Sequence, residues 1–215
     1  MDKPTLIYVY DPLCRWCFGF HAVMEKLQKR FQERLNIRVI PGGLAIDENA
    51  QTIQEGYPEI KGSLRQVEKM TGTSFGENFR LLAEEGSYYY DSEPACIAQT
   101  TVNTLMPERS LDFAGKLQSA LFQDGKNLNH TETFIDLISD YDLSAEKFSE
   151  LYNSSSIQEK TRQQFQWVQE QNASAFPTLL LEIGSDTGLM SKGYRPYDTL
   201  ESHLHHLLRN LERMT

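Results

Sequence analysis

The sequence predicts an α/β protein in which a long all-helical block interrupts a small sheet. Three observations predict it. A strand, a helix and a second strand occupy the first forty or so residues; no convincing strand occurs from about Asn49 to Asn172; and a strand, a returning strand and a helix close the chain. With 215 residues, 40% apolar and 24% charged, the chain is long enough for one sizeable core or a compact domain with an insertion, and cramped for two large independent domains. Disorder and collagen-like repeats are excluded by composition.

Thr5-Leu6-Ile7-Tyr8-Val9-Tyr10 is β-branched and aromatic, as a buried strand is, and Asp11-Pro12 ends it. From about Arg15 to Arg34, Phe20, Val23, Met24, Leu27, Phe31 and Leu35 recur at helical spacing with Lys26, Lys29, Arg30 and Glu33 between them, which predicts a helix with one core face. Asn36–Ile40 reads as a second strand stopped by Pro41-Gly42-Gly43, completing a βαβ unit with a right-handed crossover. In the middle, helix punctuation recurs at Tyr57-Pro58, Ser92-Glu93-Pro94, Pro107 with Ser110, Thr131 and Ser144. It marks helices over Glu59 to Met70, Phe75 to Glu84, Glu93 to Leu105, Leu111 to Phe122, Glu132 to Tyr141, Ala145 to Tyr152 and Ile157 to Gln171. Thr178–Ile183 then reads as a strand, Gly184–Gly188 as a turn, Leu189–Lys192 as a returning strand, and Tyr197 to Leu211 as a helix with a leucine stripe.

Lysine and arginine number 21 against 30 aspartates and glutamates, a net charge of −9, so most of the surface would repel a nucleic-acid backbone. The apolar stretch after Met1-Asp2-Lys3-Pro4 is too short for a signal peptide or a membrane span, which places the chain in the cytoplasm, with neither nucleic acid nor membrane as partner. Three cysteines cannot build a multi-bridge scaffold, and a close pair in a reducing compartment is more often redox-active or metal-binding.

That pair is Cys14-Arg15-Trp16-Cys17, directly after the first strand and at the start of the first helix. The two sulfurs fall about one turn apart, within reach of a disulfide's Cα separation of about 5 to 6 Å. Cys14 lies where unpaired helix N–H groups point, and a cysteine at a helix start is partly exposed; the helix dipole there favours a thiolate. A fall from about 8.5 toward 6 to 7 would make roughly half or more of the thiol reactive at neutral pH, and the Arg15 charge acts in the same direction. Two cysteines at this spacing are also half of a zinc site. For that reading Cys96 lacks a partner at suitable spacing, and His21, His203, His205 and His206 read more simply as surface or core side chains, as does His130 beside a helix start.

The chain resembles the DsbA-like branch of the thioredoxin superfamily, and cytoplasmic FrnE-like members in particular. The resemblance rests on Asp11-Pro12-Leu13-Cys14-Arg15-Trp16-Cys17, Pro41-Gly42-Gly43-Leu44, Ser92-Glu93-Pro94-Ala95-Cys96 and Ala175-Phe176-Pro177-Thr178, and covers nearly the whole chain. It implies a thioredoxin-like fold with a large all-helical insertion: residues 1–48 and 173–215 as the thioredoxin-like domain, 49–172 as the inserted helical domain. It also implies that Pro177 is cis and faces Cys14, while Phe176 is bulkier than the residue often found there. The implied activity is thiol–disulfide exchange, as oxidoreductase or isomerase, with Cys14, Cys17 and Pro177 as catalytic residues and Arg15, Trp16 and Phe176 at the substrate. Protein or small-molecule thiols and disulfides are the partners, no bound cofactor or metal is called for, and glutathione is a candidate redox partner. Two other readings stand beside it: a non-catalytic protease adaptor or protein-binding module, and a glutathione-dependent isomerase or transferase, whose relatives usually replace the second cysteine. Asp11 either starts a turn or tunes the cysteines electrostatically, Cys96 reads as core in preference to a resolving thiol, and Tyr88-Tyr89-Tyr90 as packing in preference to a groove.

Overall fold

A computed structural model describes residues 3–214, without the side chains of residues 56–59 and 214. Met1, Asp2 and Thr215, at the outer bounds of the sequence reading, lie outside the described residues. Strand β1 (Thr5–Tyr10) leads through a short loop into helix α1 (Arg15–Phe31), and β2 (Asn36–Pro41) follows. The helical stretch holds α2 (Ile53–Thr71), α3 (Glu77–Glu85), α4 (Glu93–Leu105), α5 (Ser110–Phe122), α6 (Thr131–Leu137), α7 (Ala145–Tyr152) and α8 (Ser155–Glu170), with two-residue strands β3 (Gln51–Thr52) and β4 (Tyr89–Tyr90) among them. Strands β5 (Thr178–Ile183) and β6 (Asp186–Lys192) and helix α9 (Tyr197–Met214) complete the chain.

The main sheet has the order β2-β1-β5-β6. Strand β1 pairs parallel to β2, from Thr5↔Asn36 to Tyr10↔Pro41, and antiparallel to β5, where Val9 lies opposite Thr178. This antiparallel pairing sets the start of β5 beside the end of β1, so the residues before Thr178 meet the loop that carries the cysteines. The β5–β6 register is irregular: Leu179 faces Ser191 while Leu180 faces Leu189, leaving Met190 as a bulge.

From Leu6 to Tyr10 strand β1 is fully buried and rich in apolar side chains because both of its faces are covered. Leu6, Tyr8 and Tyr10 join α1 and α9 in one core with Phe20, Met24, Leu27, Leu200 and Leu204. Ile7 and Val9 alternate to the other face with Ile40, Leu180, Val168 and Ala173. The helices build a further core around Phe75, Phe79, Phe113, Phe122, Phe134 and Phe148. Helix α5 belongs to both sides, with Leu111 and Ala114 in the core under the sheet and Phe113, Leu117 and Leu121 in the helical one.

Four sequence expectations are corrected. Helix α2 starts at Ile53 instead of near Tyr57-Pro58, because Ile53 is fully buried and its N–H donates to the Tyr88 carbonyl at 2.7 Å. That bond continues the β3–β4 pairing, Gln51↔Tyr90 and Thr52↔Tyr89, within a stretch expected to hold no strand. The turn expected over Gly184–Gly188 is only Gly184-Ser185, since Ile183 already pairs with Asp186 and Gly184 supplies the positive φ of 59°. Helices α1 and α6 stop at Phe31 and Leu137, three and four residues before the expected ends. Where capping residues were read, they cap: the Ser144 Oγ accepts from the Lys147 N–H at 3.2 Å. Among the described residues no helix is long and apolar enough to cross a membrane.

Candidate active site

The loop Asp11–Cys14 turns the chain from β1 into α1. The Asp11 carbonyl accepts from the Cys14 N–H at 3.0 Å, and the Asp11 carboxylate accepts from the Leu13 N–H at 2.9 Å. Cys14 therefore arrives in extended backbone, φ −80° and ψ 112°, as the N-cap of α1. Its sulfur accepts from the Cys17 N–H at 3.4 Å, taking the place of the usual capping oxygen, and lies 3.7 Å from the Phe176 carbonyl, to which the thiol donates. Burial first, then Cys14, push the Cys17 thiol well above its usual range, opposed by the Asp11 N–H. Cys14, Cys17 and Cys96 are free thiols.

Cys14 is only 6% exposed, less than a helix-start cysteine was expected to be. It is closed in because it belongs to the core under the sheet, against which Trp16, Phe176 and Tyr194 pack. Access to its sulfur is narrow, and Cys17 beneath it is sealed.

The Phe176–Pro177 peptide bond is cis, and Pro177 is buried, with its carbonyl accepting from the Gly193 N–H at 2.7 Å. The half-buried Phe176 ring lies on Gly42, where an added Cβ would stand 2.1 Å from Cε1. The Trp16 and Tyr194 ring centroids are 6.3 Å apart. Arg15, half-buried at the start of α1, interacts with the Tyr90 hydroxyl, and its Nε is buried with no partner among the described residues. The structure thus gathers Cys14, Cys17, Trp16, Phe176 and Pro177 at the ends of β1 and β5, and gives Arg15 a partner in Tyr90.

Around this centre lie residues whose place the sequence did not reveal. The Tyr90 hydroxyl donates to the Leu13 carbonyl. Asp11 is completely buried: its Oδ1 also accepts from the Ser92 hydroxyl at 2.9 Å, and its Oδ2 from the Leu44 N–H at 2.7 Å and the Cys96 thiol at 3.7 Å. Asp11 does form the local turn that was one of its two readings. Burial, the larger effect, raises its pKa against these hydrogen bonds. Tyr10 donates to Gln99 at 2.5 Å, and Tyr8 to the Cys17 carbonyl at 3.5 Å. The signal for this surround was the motif set itself: Pro41–Leu44 and Ser92–Cys96, distant in sequence, meet at Asp11.

The remaining candidates disperse. His21 is mostly buried beside Glu25, 3.6 Å away, His205 contacts Arg30 at 2.7 Å, and His130, His203 and His206 are exposed. No group of three or more histidines, cysteines and carboxylates among the described residues could hold a metal ion. Cys96 is fully buried, while Tyr88 and Tyr90 are packed and Tyr89 faces solvent.

A cysteine pair at the start of the first helix, with a cis-proline bond just before the strand that pairs with β1, is an arrangement of the thioredoxin class. The sequence model of a thioredoxin family matches residues 8–202, and the chain belongs to that family, with the thioredoxin-like fold interrupted by helices between β2 and β5. Among solved structures it is similar to a candidate protein disulfide isomerase from Nitrosomonas europaea, at 28% identity and a TM-score of 0.86, covering 97% of this chain and 99% of that one. It is also similar in fold to the cytosolic disulfide reductase DsbM from Pseudomonas aeruginosa, at 22% identity and a TM-score of 0.80, covering 95% and 98%. A curated relative, the ClpXP adapter protein SpxH of Halalkalibacterium halodurans, is 22% identical over 203 residues, 91% of this chain; the match spans 65% of the relative's own length.

Proposed function

We propose that this protein catalyses thiol–disulfide exchange, with Cys14 as nucleophile and Cys17 as resolving thiol. The observation that carries the reading is the Cys14 sulfur as N-cap, receiving the Cys17 N–H at 3.4 Å. A capping sulfur sits at the positive end of the helix dipole, where negative charge is favoured. The Cys14 thiolate attacks one sulfur of a substrate disulfide, the other sulfur leaves as a thiolate, and a mixed disulfide forms. Cys17 attacks the Cys14 sulfur as its proton passes to the departing substrate sulfur, closing the Cys14–Cys17 disulfide and releasing the reduced substrate. The reverse sequence oxidises a substrate dithiol.

Pro177 lines the site opposite the pair, and the Phe176 carbonyl holds the Cys14 thiol at 3.7 Å when it is protonated. Phe176, Trp16 and Arg15 are assigned to the substrate, the two rings as apolar walls and Arg15 as the local cation. Residues 49–172 serve as an inserted unit that backs the cysteine loop through Tyr90, Ser92 and Cys96. The narrow opening over Cys14, 6% exposed, favours a slender thiol or an extended segment as substrate. Glutathione fits that description, and DsbM has been solved with it; the cytosolic setting of that reductase supports a cytoplasmic site of action.

Cys14→Ser is expected to abolish reduction of a disulfide reporter, and Cys17→Ser to trap a covalent complex that mass spectrometry detects as a mixed disulfide at Cys14. Unchanged turnover in both variants would sink the reading. The likeness to an adapter protein motivates a second, non-catalytic reading. It gains if a client is captured equally well by the Cys14→Ser/Cys17→Ser chain while turnover by the parent protein is negligible.

A further inference from the structure

We infer that Asp11 is a positioning residue whose buried carboxylate holds the cysteine loop and, through its charge, sets how readily the Cys14–Cys17 disulfide is reduced. The inference rests on the thiol–disulfide reading above and adds to it a determinant of the poise of the pair.

Four donors converge on the two carboxylate oxygens, the Leu13 and Leu44 N–H groups, the Ser92 hydroxyl and the Cys96 thiol. Such a set suits an ionised carboxylate, which only accepts. Every one of these donors is uncharged, and no ion pair among the described residues includes Asp11. The residue is completely buried, where a charge is weakly screened by water and salt. Its main chain reaches the pair, since the carbonyl accepts from the Cys14 N–H at 3.0 Å, and its charge is among the causes that raise the Cys17 thiol.

A negative charge held in the loop that carries the pair disfavours a second one on sulfur. It acts only on the ionised form of the reduced pair and leaves the neutral disulfide untouched. Asp11 therefore biases the couple toward the disulfide and makes the dithiol a stronger reductant. Mere anchoring of the loop would use its hydrogen bonds and have no such bias.

The test is equilibration of the full chain with glutathione at neutral pH. In that reaction the Cys14–Cys17 bond breaks, one bond forms between two glutathione sulfurs, and the two glutathione protons pass to the cysteines or, where a cysteine stays ionised, to the solvent. Asp11→Asn is expected to raise the equilibrium constant for reduction about tenfold, or about 30 mV for this two-electron couple. Ser92→Ala removes a donor from the same Oδ1 with the charge intact; it is expected to lower the Tm but to keep the constant within about threefold of the parent. A constant unmoved by Asp11→Asn, or moved equally by both variants, overturns the inference.

Should Asp11→Asn not fold, Leu44→Lys places a cation from an exposed side chain beside the amide that holds Oδ2. It is expected to raise the constant about threefold over Leu44→Gln, and the absence of a rise overturns the inference. A parent protein that exchanges with glutathione while no variant shifts the constant refutes the Asp11 role alone. A parent that does not exchange at all refutes the thiol–disulfide reading and this inference with it.

Discussion

Gly42→Ala tests the packing that holds the Phe176 ring beside the cysteines. A Cβ at residue 42 would stand 2.1 Å from Phe176 Cε1 and 2.3 Å from Cζ. Packed carbon atoms prefer about 3.5–4.0 Å, so the ring or the loop must retreat by about 1.5 Å. Overpacking of this kind costs about 1–3 kcal/mol. The ring is half-buried and can swing toward solvent, which puts the expectation at about 1–2 kcal/mol. For a chain of this length that lowers the Tm by about 2–8 °C. Thermal unfolding of the parent, Gly42→Ala, Phe176→Ala and the double variant closes a double-mutant cycle. The clash cannot exist without the ring, so the double variant should be more stable than the sum of the singles implies, by about 1 kcal/mol. Additivity within about 0.5 kcal/mol, or an unchanged Tm for Gly42→Ala, would refute the reasoning.

Tyr10→Phe removes the donor from the buried Gln99 oxygen and should destabilise the fold by about 1–3 kcal/mol, seen as a lower urea midpoint at constant m-value. His21 is held below its usual 6.5 by burial, against the opposing pull of Glu25 and Asp112. The unfolded chain then binds the proton first, so the contribution of this group is present above pH 6.5 and is lost as the pH falls through the lower folded value. His21→Gln should flatten the decline of stability on acidification; parallel stability curves for the two proteins would refute that account.

Much of the frame was legible from residues alone. Strand β1 was readable because five consecutive buried side chains leave a continuous apolar signature. Helices α4 and α7 could be bounded because Ser92-Glu93-Pro94 and Ser144 punctuate the chain where the helices begin. Strands β3 and β4 were not, since two residues carry no periodicity and their pairing is a contact between residues about forty apart. Tyr57-Pro58 misled because a proline that suits a helix start is also tolerated inside a long helix whose buried first residue, Ile53, is anchored elsewhere. At the site, the adjacency of Cys14 and Cys17 follows from their spacing, whereas the cis bond at Pro177 was legible only through resemblance. The depth of burial of Cys14 and the four donors on Asp11 depend on Phe176, Leu44, Ser92 and Cys96, which only the folded chain brings there.

The bulge at Met190 bears on how this molecule behaves among its own copies. Helices α4, α5 and α8 pack against β2, but β6 ends the sheet order on the other side, with Asp186, Thr187, Gly188 and Leu189 all facing solvent. A straight outer rail of seven residues would be a template for stray strands. The bulge breaks the rail after Leu189, bends the remainder of the strand, and leaves a stretch that begins with a charge and contains a glycine. A bulge, a charge and a glycine on this outer strand are features that discourage strand addition.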